Sequence, residues 1–229
     1  MKIFLFDMDG VLLESLGYHL ALQETVHLVA KALGFGDLTL SVDDIATFEA
    51  GGINNEWDEA AICTALLLEE VWKIDPKRVL PESTITTRAS LIKFQSVPDF
   101  DALARQLSSL DLIHLDPLER ALQRSTETDH FSKAQYRILH DLLERAHDPR
   151  RSLTHRIFQE LILGSVEYTL SYGIPAMLEC ESYLLKHDIS NLSNAESARL
   201  RDWISTPGNT AAVITSRPSF PPPRGVLHS

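Results

Sequence analysis

The sequence predicts an α/β protein in which a large all-α domain is inserted after the first strand of a sheet-containing core. Two short runs rich in apolar residues, at 3–6 and 210–215, have the composition of strands buried in a parallel sheet. Nearly every segment between them has helical periodicity. The order strand, helical block, strand is therefore the basis of the fold prediction.

The helical block starts with apolar residues at helical spacing between Tyr18 and Leu33, followed by GFG. SVDD at residue 41 begins a short helix to residue 50, GGINN is a loop by composition, and a strong helix covers 56–74. Ser132 opens a reciprocal capping pattern, SKAQ. Further helices are predicted over 99–110, 117–124, 134–146, 153–163 and 195–204. We expect a helical domain at 16–175 and a core at 1–15 and 176–229.

Composition and charge argue against several functions. The net charge of −11 disfavours nucleic acids or anionic membranes as partners, but a few local groups are enough to bind a small phosphorylated metabolite. Acids interrupt the apolar start too early for a signal peptide, and no apolar run approaches the ~20 residues of a membrane span. Cys63 and Cys180 lie far apart, which suits a reducing compartment. We expect a soluble, cytoplasmic protein, and its oligomeric state is left open.

Two aspartates follow the first strand. Asp7 and Asp9 are two residues apart, so both can face one site while Met8 turns into packing. Open α/β sheets bind ligands at the carboxyl ends of their strands, and Gly10 permits a tight turn there. A divalent cation such as Mg²⁺ would screen the two charges, leaving one carboxylate to attack a phosphoryl group and the other to transfer protons. The alternative is an ordinary turn with two solvated acids.

FLFDMDGVLLES resembles the first motif of the haloacid dehalogenase-like superfamily, whose members are mostly Mg²⁺-dependent phosphatases, and AAVITSRP resembles its second motif. The resemblance implies a Rossmann-like core with a helical cap inserted after the first motif. It also implies that Asp7 is the nucleophile and Asp9 the general acid and base. The Asp7 carboxylate and the Asp9 backbone carbonyl would bind Mg²⁺. An acid at the position of Asp9 favours phosphatases or phosphomutases over the dehalogenase and phosphonatase branches.

The same resemblance implies a phosphate-binding group at the end of the second strand. The Thr215 hydroxyl, the adjacent amide of Ser216 and Gly10 would hold the phosphoryl oxygens. Arg217 and Arg224 are candidate phosphate contacts, with solvated loop residues as the alternative.

A finer resemblance lies in EAGGINNEWDEA, residues 49–60, which is similar to a GG-x-NN-x-W segment of a phosphatase-like subgroup. It makes Asn54, Asn55 and Trp57 candidate substrate contacts on the cap. The alternative is structural: Asn55 caps the following helix and Trp57 packs in the helical core.

The family pattern is incomplete in this sequence. It requires a Lys or Arg and one or two acids after the second motif, yet the fourteen residues after Thr215 contain no Asp, Glu or Lys. Lys186 is a weak candidate for the positively charged residue that the pattern requires. We therefore expect a fragment of a longer enzyme with a truncated core. The predicted function is Mg²⁺-dependent hydrolysis of a small phosphate monoester through an aspartyl-phosphate. An inactive fragment that serves as a binding module and a phosphomutase are the alternatives.

Overall fold

The structure, a computed structural model, describes residues 2–80, 97–109, 115–128, 131–215 and 217. The strands are β1 (Lys2–Asp7), β2 (Leu13–Glu14), β3 (Ile189–Ser190) and β4 (Asn209–Ile214). The helices are α1 (Leu16–Leu33), α2 (Val42–Ala50), α3 (Glu56–Trp72), α4 (Phe100–Ser109), α5 (Pro117–Thr128), α6 (Lys133–Glu144), α7 (Leu153–Leu163), α8 (Ser165–Tyr172), α9 (Tyr183–His187) and α10 (Asn194–Ile204).

The mixed α/β class is confirmed, with a mostly helical chain and a small parallel sheet. Strands β1 and β4 pair in parallel, with Lys2 opposite Asn209 and Asp7 opposite Ile214. Strands β2 and β3 pair antiparallel where the chain enters and leaves the helical block, with Leu13 opposite Ser190. Segments about 200 residues apart in the chain are thus neighbours in one sheet.

The expectation that the first strand is buried on both faces is wrong for the described residues. Ile3, Phe4 and Leu5 are 55%, 49% and 63% exposed. Among the described elements, β4 pairs with β1 along one edge, and Trp203 of α10 packs edge-on against Phe4 at 4.5 Å between ring centroids. One neighbouring strand and one helix are too few to cover two faces of a strand.

The hydrophobic core lies among the helices. Helix α1 packs against α3, α7 and α9, and α3 packs in addition against α5 and α6. The predicted helix at 153–163 is confirmed residue for residue as α7. The capping pattern at Ser132 is also confirmed, because its hydroxyl accepts from the Gln135 N–H while the Gln135 side chain accepts from the Ser132 N–H. Helices α8 and α9 had no clear periodic signal and were not predicted.

The predicted domain boundary after residue 175 falls between α8 and α9, and it stays a prediction. Helix α9 packs against α1 and α7, so the helical body continues to His187, next to β3. Within the described parts of the chain, no helix is both long and apolar enough to cross a lipid bilayer.

Candidate functional site

The parallel register brings Asp7 and Thr215 to the same edge of the sheet. Asp7 ends β1 opposite Ile214, and Thr215 directly follows Ile214. The Asp7 carboxylate is exposed, and its Oδ1 accepts a hydrogen bond from the Met8 N–H at 2.7 Å. The Thr215 hydroxyl accepts from the Arg217 N–H at 3.0 Å. Asp7 and Thr215, two of the predicted site residues, therefore lie at adjacent strand ends, as the parallel pairing of β1 and β4 requires.

A tight turn after Asp7 places the second aspartate. Gly10 has a φ of +74°, a conformation that other residues adopt at a cost. Its N–H donates to the Leu13 carbonyl at 2.8 Å, and the Met8 carbonyl accepts from Leu12 and Leu13 at 2.9 Å. These bonds turn the chain so that Asp9 lies next to the start of α1.

The Asp9 carboxylate is held by three donors. Its Oδ1 accepts from the Ser15 hydroxyl at 2.6 Å, from Arg217 Nε at 2.9 Å and from Arg217 Nη2 at 2.5 Å. Within the described residues, every hydrogen bond to this carboxylate goes to Oδ1. The orientation of Asp9 is therefore fixed through one oxygen, and Oδ2 remains available to transfer a proton.

Arg217 is 4% exposed and joins three parts of the chain. Besides Asp9, its Nη2 lies 2.7 Å from Oδ2 of the buried Asp188, and its guanidinium lies 5.5 Å from the ring centre of Tyr18. Burial lowers the pKa of Arg217, but the bonds to Asp9 and Asp188 outweigh it, so the pKa is raised and the group stays cationic. The guanidinium is thus engaged by two carboxylates, and its contact with phosphate stays a prediction.

Asp188 is a site residue that sequence reasoning missed. Its Oδ1 accepts from the Gly17 N–H at 2.8 Å, which ties the start of α1 to the end of α9. The only sequence signal is a lone acid in a segment that returns to the core, and that signal does not identify a partner 171 residues away.

A cavity of about 340 Å³ opens beside Asp9, between the strand tip and the helical body. Its size falls in the range of small-ligand sites. The cavity is lined by Asp9, Ser15, Tyr18, Asn54, Asn55, Glu56, Trp57, Phe158, Gln159 and Ile162. All three predicted cap residues are therefore on its wall. Ser15, Tyr18, Glu56 and Gln159 are further members that the sequence motifs did not identify.

The structural interpretation of the cap motif is confirmed for Asn55 and Trp57, and their contact with a substrate stays a prediction. Asn55 caps α3, since its Oδ1 accepts from the Trp57 N–H at 2.9 Å, and it also lines the cavity. The Trp57 ring stacks on His155 at 5.1 Å between ring centroids and meets Phe158 edge-on at 6.5 Å. Asn54 is exposed at the cavity wall.

Burial makes this cavity a poor environment for additional negative charge. It raises the pKa of the Tyr18 hydroxyl, and it also raises the pKa of Glu56, an effect that a backbone hydrogen bond and His19 partly offset. Asp9 and Glu56 contribute carboxylates to the same wall. A ligand group that enters between them is disfavoured if it carries a negative charge of its own.

One residue considered from the sequence lies elsewhere in the described structure, and two more are not described. Lys186 is exposed on α9 and lines a separate groove with Ser165 and Glu181, so it does not accompany Asp9. Ser216 and Arg224 lie outside the described residues.

The donors at the strand tip suit a hard cation. Asp7 and Asp9 offer only oxygen ligands, and Mg²⁺ in proteins commonly takes one or two carboxylates together with phosphate oxygens and water. The described residues contain one group of three potential ligands, His140, Asp141 and Glu144 on the surface of α6. None of these three lines the Asp9 cavity. At the strand tip, the Asp7 carboxylate and the Asp9 backbone carbonyl could therefore contribute oxygen ligands to a Mg²⁺ ion.

Comparison of the sequence with models of known protein families and with curated proteins gives no match. One solved structure is similar in fold: a target of the Northeast Structural Genomics Consortium determined by X-ray crystallography. The TM-score is 0.65 at 19% sequence identity, and the match covers 95% of this chain and 63% of that chain. At this identity the similarity supports the fold alone. The present chain thus spans less than two thirds of the length of the structure it resembles.

Proposed function

We propose that the protein is a Mg²⁺-dependent phosphatase of the haloacid dehalogenase-like type that hydrolyses a small phosphate monoester. The observation that carries the proposal is the placement of Asp7 and Thr215 at adjacent strand ends, with Asp9, which is bonded to Arg217, on the wall of a ligand-sized cavity. Two acids beside a hydroxyl at the carboxyl ends of parallel strands are suited to phosphoryl transfer. The first and second sequence motifs support the same assignment.

In this proposal the reaction has two steps. An Asp7 carboxylate oxygen attacks phosphorus, an Asp7–phosphorus bond forms, and the ester P–O bond breaks as the leaving oxygen takes a proton from Asp9. A water molecule then attacks the phosphorus of the aspartyl-phosphate and gives a proton to Asp9, and the bond between the Asp7 oxygen and phosphorus breaks, which releases inorganic phosphate and restores both carboxyl groups. The free Oδ2 of Asp9 is the atom we assign to both proton transfers.

The remaining residues bind and orient. The Thr215 hydroxyl holds a phosphoryl oxygen, and Ser15 and Arg217 keep the Asp9 carboxylate in position through its Oδ1. The Asp7 carboxylate and the Asp9 backbone carbonyl would hold Mg²⁺. When bound, that cation supplies electrostatic stabilisation of the phosphoryl oxygens.

The test is phosphate release by the full-length protein from a generic phosphate ester with and without Mg²⁺. Asp7→Asn is expected to abolish turnover, because an amide does not act as the nucleophile. Asp202→Asn is the matched control, since Asp202 is an exposed aspartate on α10. Metal-dependent turnover that survives in folded Asp7→Asn protein contradicts the proposal.

A further inference from the structure

Two polar atoms of the cavity residues lack hydrogen-bond partners. The indole Nε1 of Trp57 and the amide Oε1 of Gln159 are buried and have no partner within the described part of the chain. Gln159 is 2% exposed, and both residues line the cavity beside Asp9. Buried polar groups in native proteins are nearly always satisfied, so each unsatisfied one requires an explanation.

Some comparable buried groups elsewhere in the protein do have partners. The indole N–H of Trp72 donates to the Arg78 carbonyl at 2.7 Å. The buried carboxylate of Glu160 accepts from the N–H groups of Met177 and Leu178 at 2.7 and 2.8 Å. Other buried polar atoms of the described residues also lack a hydrogen-bond partner, on Glu59, Thr64, Glu167, Tyr168 and Asp188, but none of those residues lines this cavity. What distinguishes Trp57 and Gln159 is that a donor and an acceptor without partners belong to residues of one cavity wall, which points to a partner that enters the cavity.

The chemistry of the pair selects the class of that partner. An indole N–H requires an acceptor and an amide oxygen requires a donor, and a hydroxyl group is both. A carboxylate or a second phosphate would accept from Trp57 but has no proton to donate to Gln159. A quaternary ammonium group offers neither a donor nor an acceptor.

The apolar part of the wall is consistent with a ring-sized or chain-like hydroxylated group. Tyr18, Trp57 and Phe158 contribute aromatic surface, against which C–H faces pack favourably. Ile162 adds aliphatic surface. A leaving group that alternates C–H surface with hydroxyls matches this combination of apolar area and two open polar atoms.

We propose that the cavity is a subsite for a neutral, polyhydroxylated leaving group, so that the substrate is a sugar or polyol phosphate, and that Trp57 and Gln159 select it. This inference rests on the proposed phosphatase function. It makes Gln159 a specificity-determining residue that acts through its side-chain amide.

The kinetic test compares a hexose phosphate with phenyl phosphate, whose leaving group carries no further hydroxyl. In Gln159→Met and in Trp57→Phe, the ratio of kcat/KM for the hexose phosphate to that for phenyl phosphate is expected to fall about tenfold or more. That is the effect of losing one buried hydrogen bond to the substrate. Gln123→Met is the matched control, because the amide of Gln123 bonds with Glu127 on the surface of α5. A ratio unchanged in both cavity variants overturns the proposal.

A binding measurement separates failure of this inference from failure of the proposed function. The chain has three tryptophans, and the indole N–H signal of Trp57 in a ¹⁵N spectrum is identified by its loss in Trp57→Phe. In Asp7→Asn protein, the hexose phosphate is expected to shift the Trp57 signal, and phenyl phosphate to shift it far less. Equal shifts, or none, overturn the subsite. Absence of phosphate release from every ester, with the selective shift retained, overturns the phosphatase assignment and leaves the hydroxyl subsite supported.

Discussion

Gly17 provides the sharpest test of how the helical body is joined to the strand tip. It is buried near the start of α1, against the end of α9. A Cβ added at Gly17 would lie 2.9 Å from each of three atoms: the Asp188 Oδ1, the Leu184 Cα and the Tyr183 carbonyl oxygen. Two of the three belong to backbone, which does not rotate away. Gly17→Ala must therefore push α1 and α9 apart.

Opposing effects set the magnitude. Alanine is favoured over glycine inside a helix by about 1 kcal/mol. Overpacking typically costs about 1–3 kcal/mol, and weakening the hydrogen bond from the Gly17 N–H to Asp188 costs about 1 kcal/mol more. The net expectation is a loss of about 1–3 kcal/mol in the free energy of unfolding, so sterics outweigh helix propensity.

Urea unfolding of the full-length protein measures this difference directly. Leu20→Ala is the control, because Leu20 lies on the exposed side of α1 and its truncation is expected to change stability by no more than about 0.5 kcal/mol. Gly17→Ala is also expected to lower turnover, since Asp188 shares Arg217 with Asp9. A Gly17→Ala protein as stable as the parent, or more stable, would refute the close packing of α1 on α9.

Two further predictions concern buried charge. Arg124→Met is expected to lower the free energy of unfolding in urea by about 3–5 kcal/mol, because it leaves the buried Glu69 carboxylate without its cation. The control is Arg105→Met, the same change in an exposed ion pair, which is expected to have no resolvable effect in urea unfolding. The pKa of Glu59 is raised to about 9 from the usual 4.5, and burial is the largest cause. Between these two pH values the folded protein binds more protons than the unfolded chain, so its stability falls as pH rises. Glu59→Gln is expected to remove up to about 1.4 kcal/mol of that fall per pH unit in thermal or urea unfolding, and parallel curves for variant and parent would contradict it.

The sequence predicted best the features that short stretches of chain decide. Helix α7 and the caps at Ser41 and Ser132 follow from spacing and from side chains that reach their own backbone within three residues. The placement of Asp9 two residues after Asp7 is equally local, but the tight turn at Gly10 sets it rather than the strand alternation that the sequence predicted. Helices α8 and α9 escaped prediction, since they span only eight and five residues and carry little periodicity.

The contacts of the candidate site depend on distant parts of the chain. Arg217 meets Asp9 across 208 positions, and Gly17 meets Asp188 across 171. Gln159 is one of several polar residues in α7, and nothing in the neighbouring sequence distinguishes a solvated amide from a buried one on a cavity wall. Periodicity identifies the buried face of a helix, but it does not identify what that face packs against.

By itself, the sequence determined the mixed α/β fold class, the approximate extent of eight of the ten described helices, and the two acids at the end of the first strand. The tertiary structure decided that β1 lies beside β4, that Arg217 pairs with Asp9 and Asp188, and that Trp57 and Gln159 meet at one cavity. The physical reason is the distance along the chain over which each kind of interaction acts. Local backbone preferences and capping bonds act over a few residues, whereas packing and ion pairs across hundreds of residues depend on shape and charge that exist only once the chain has folded.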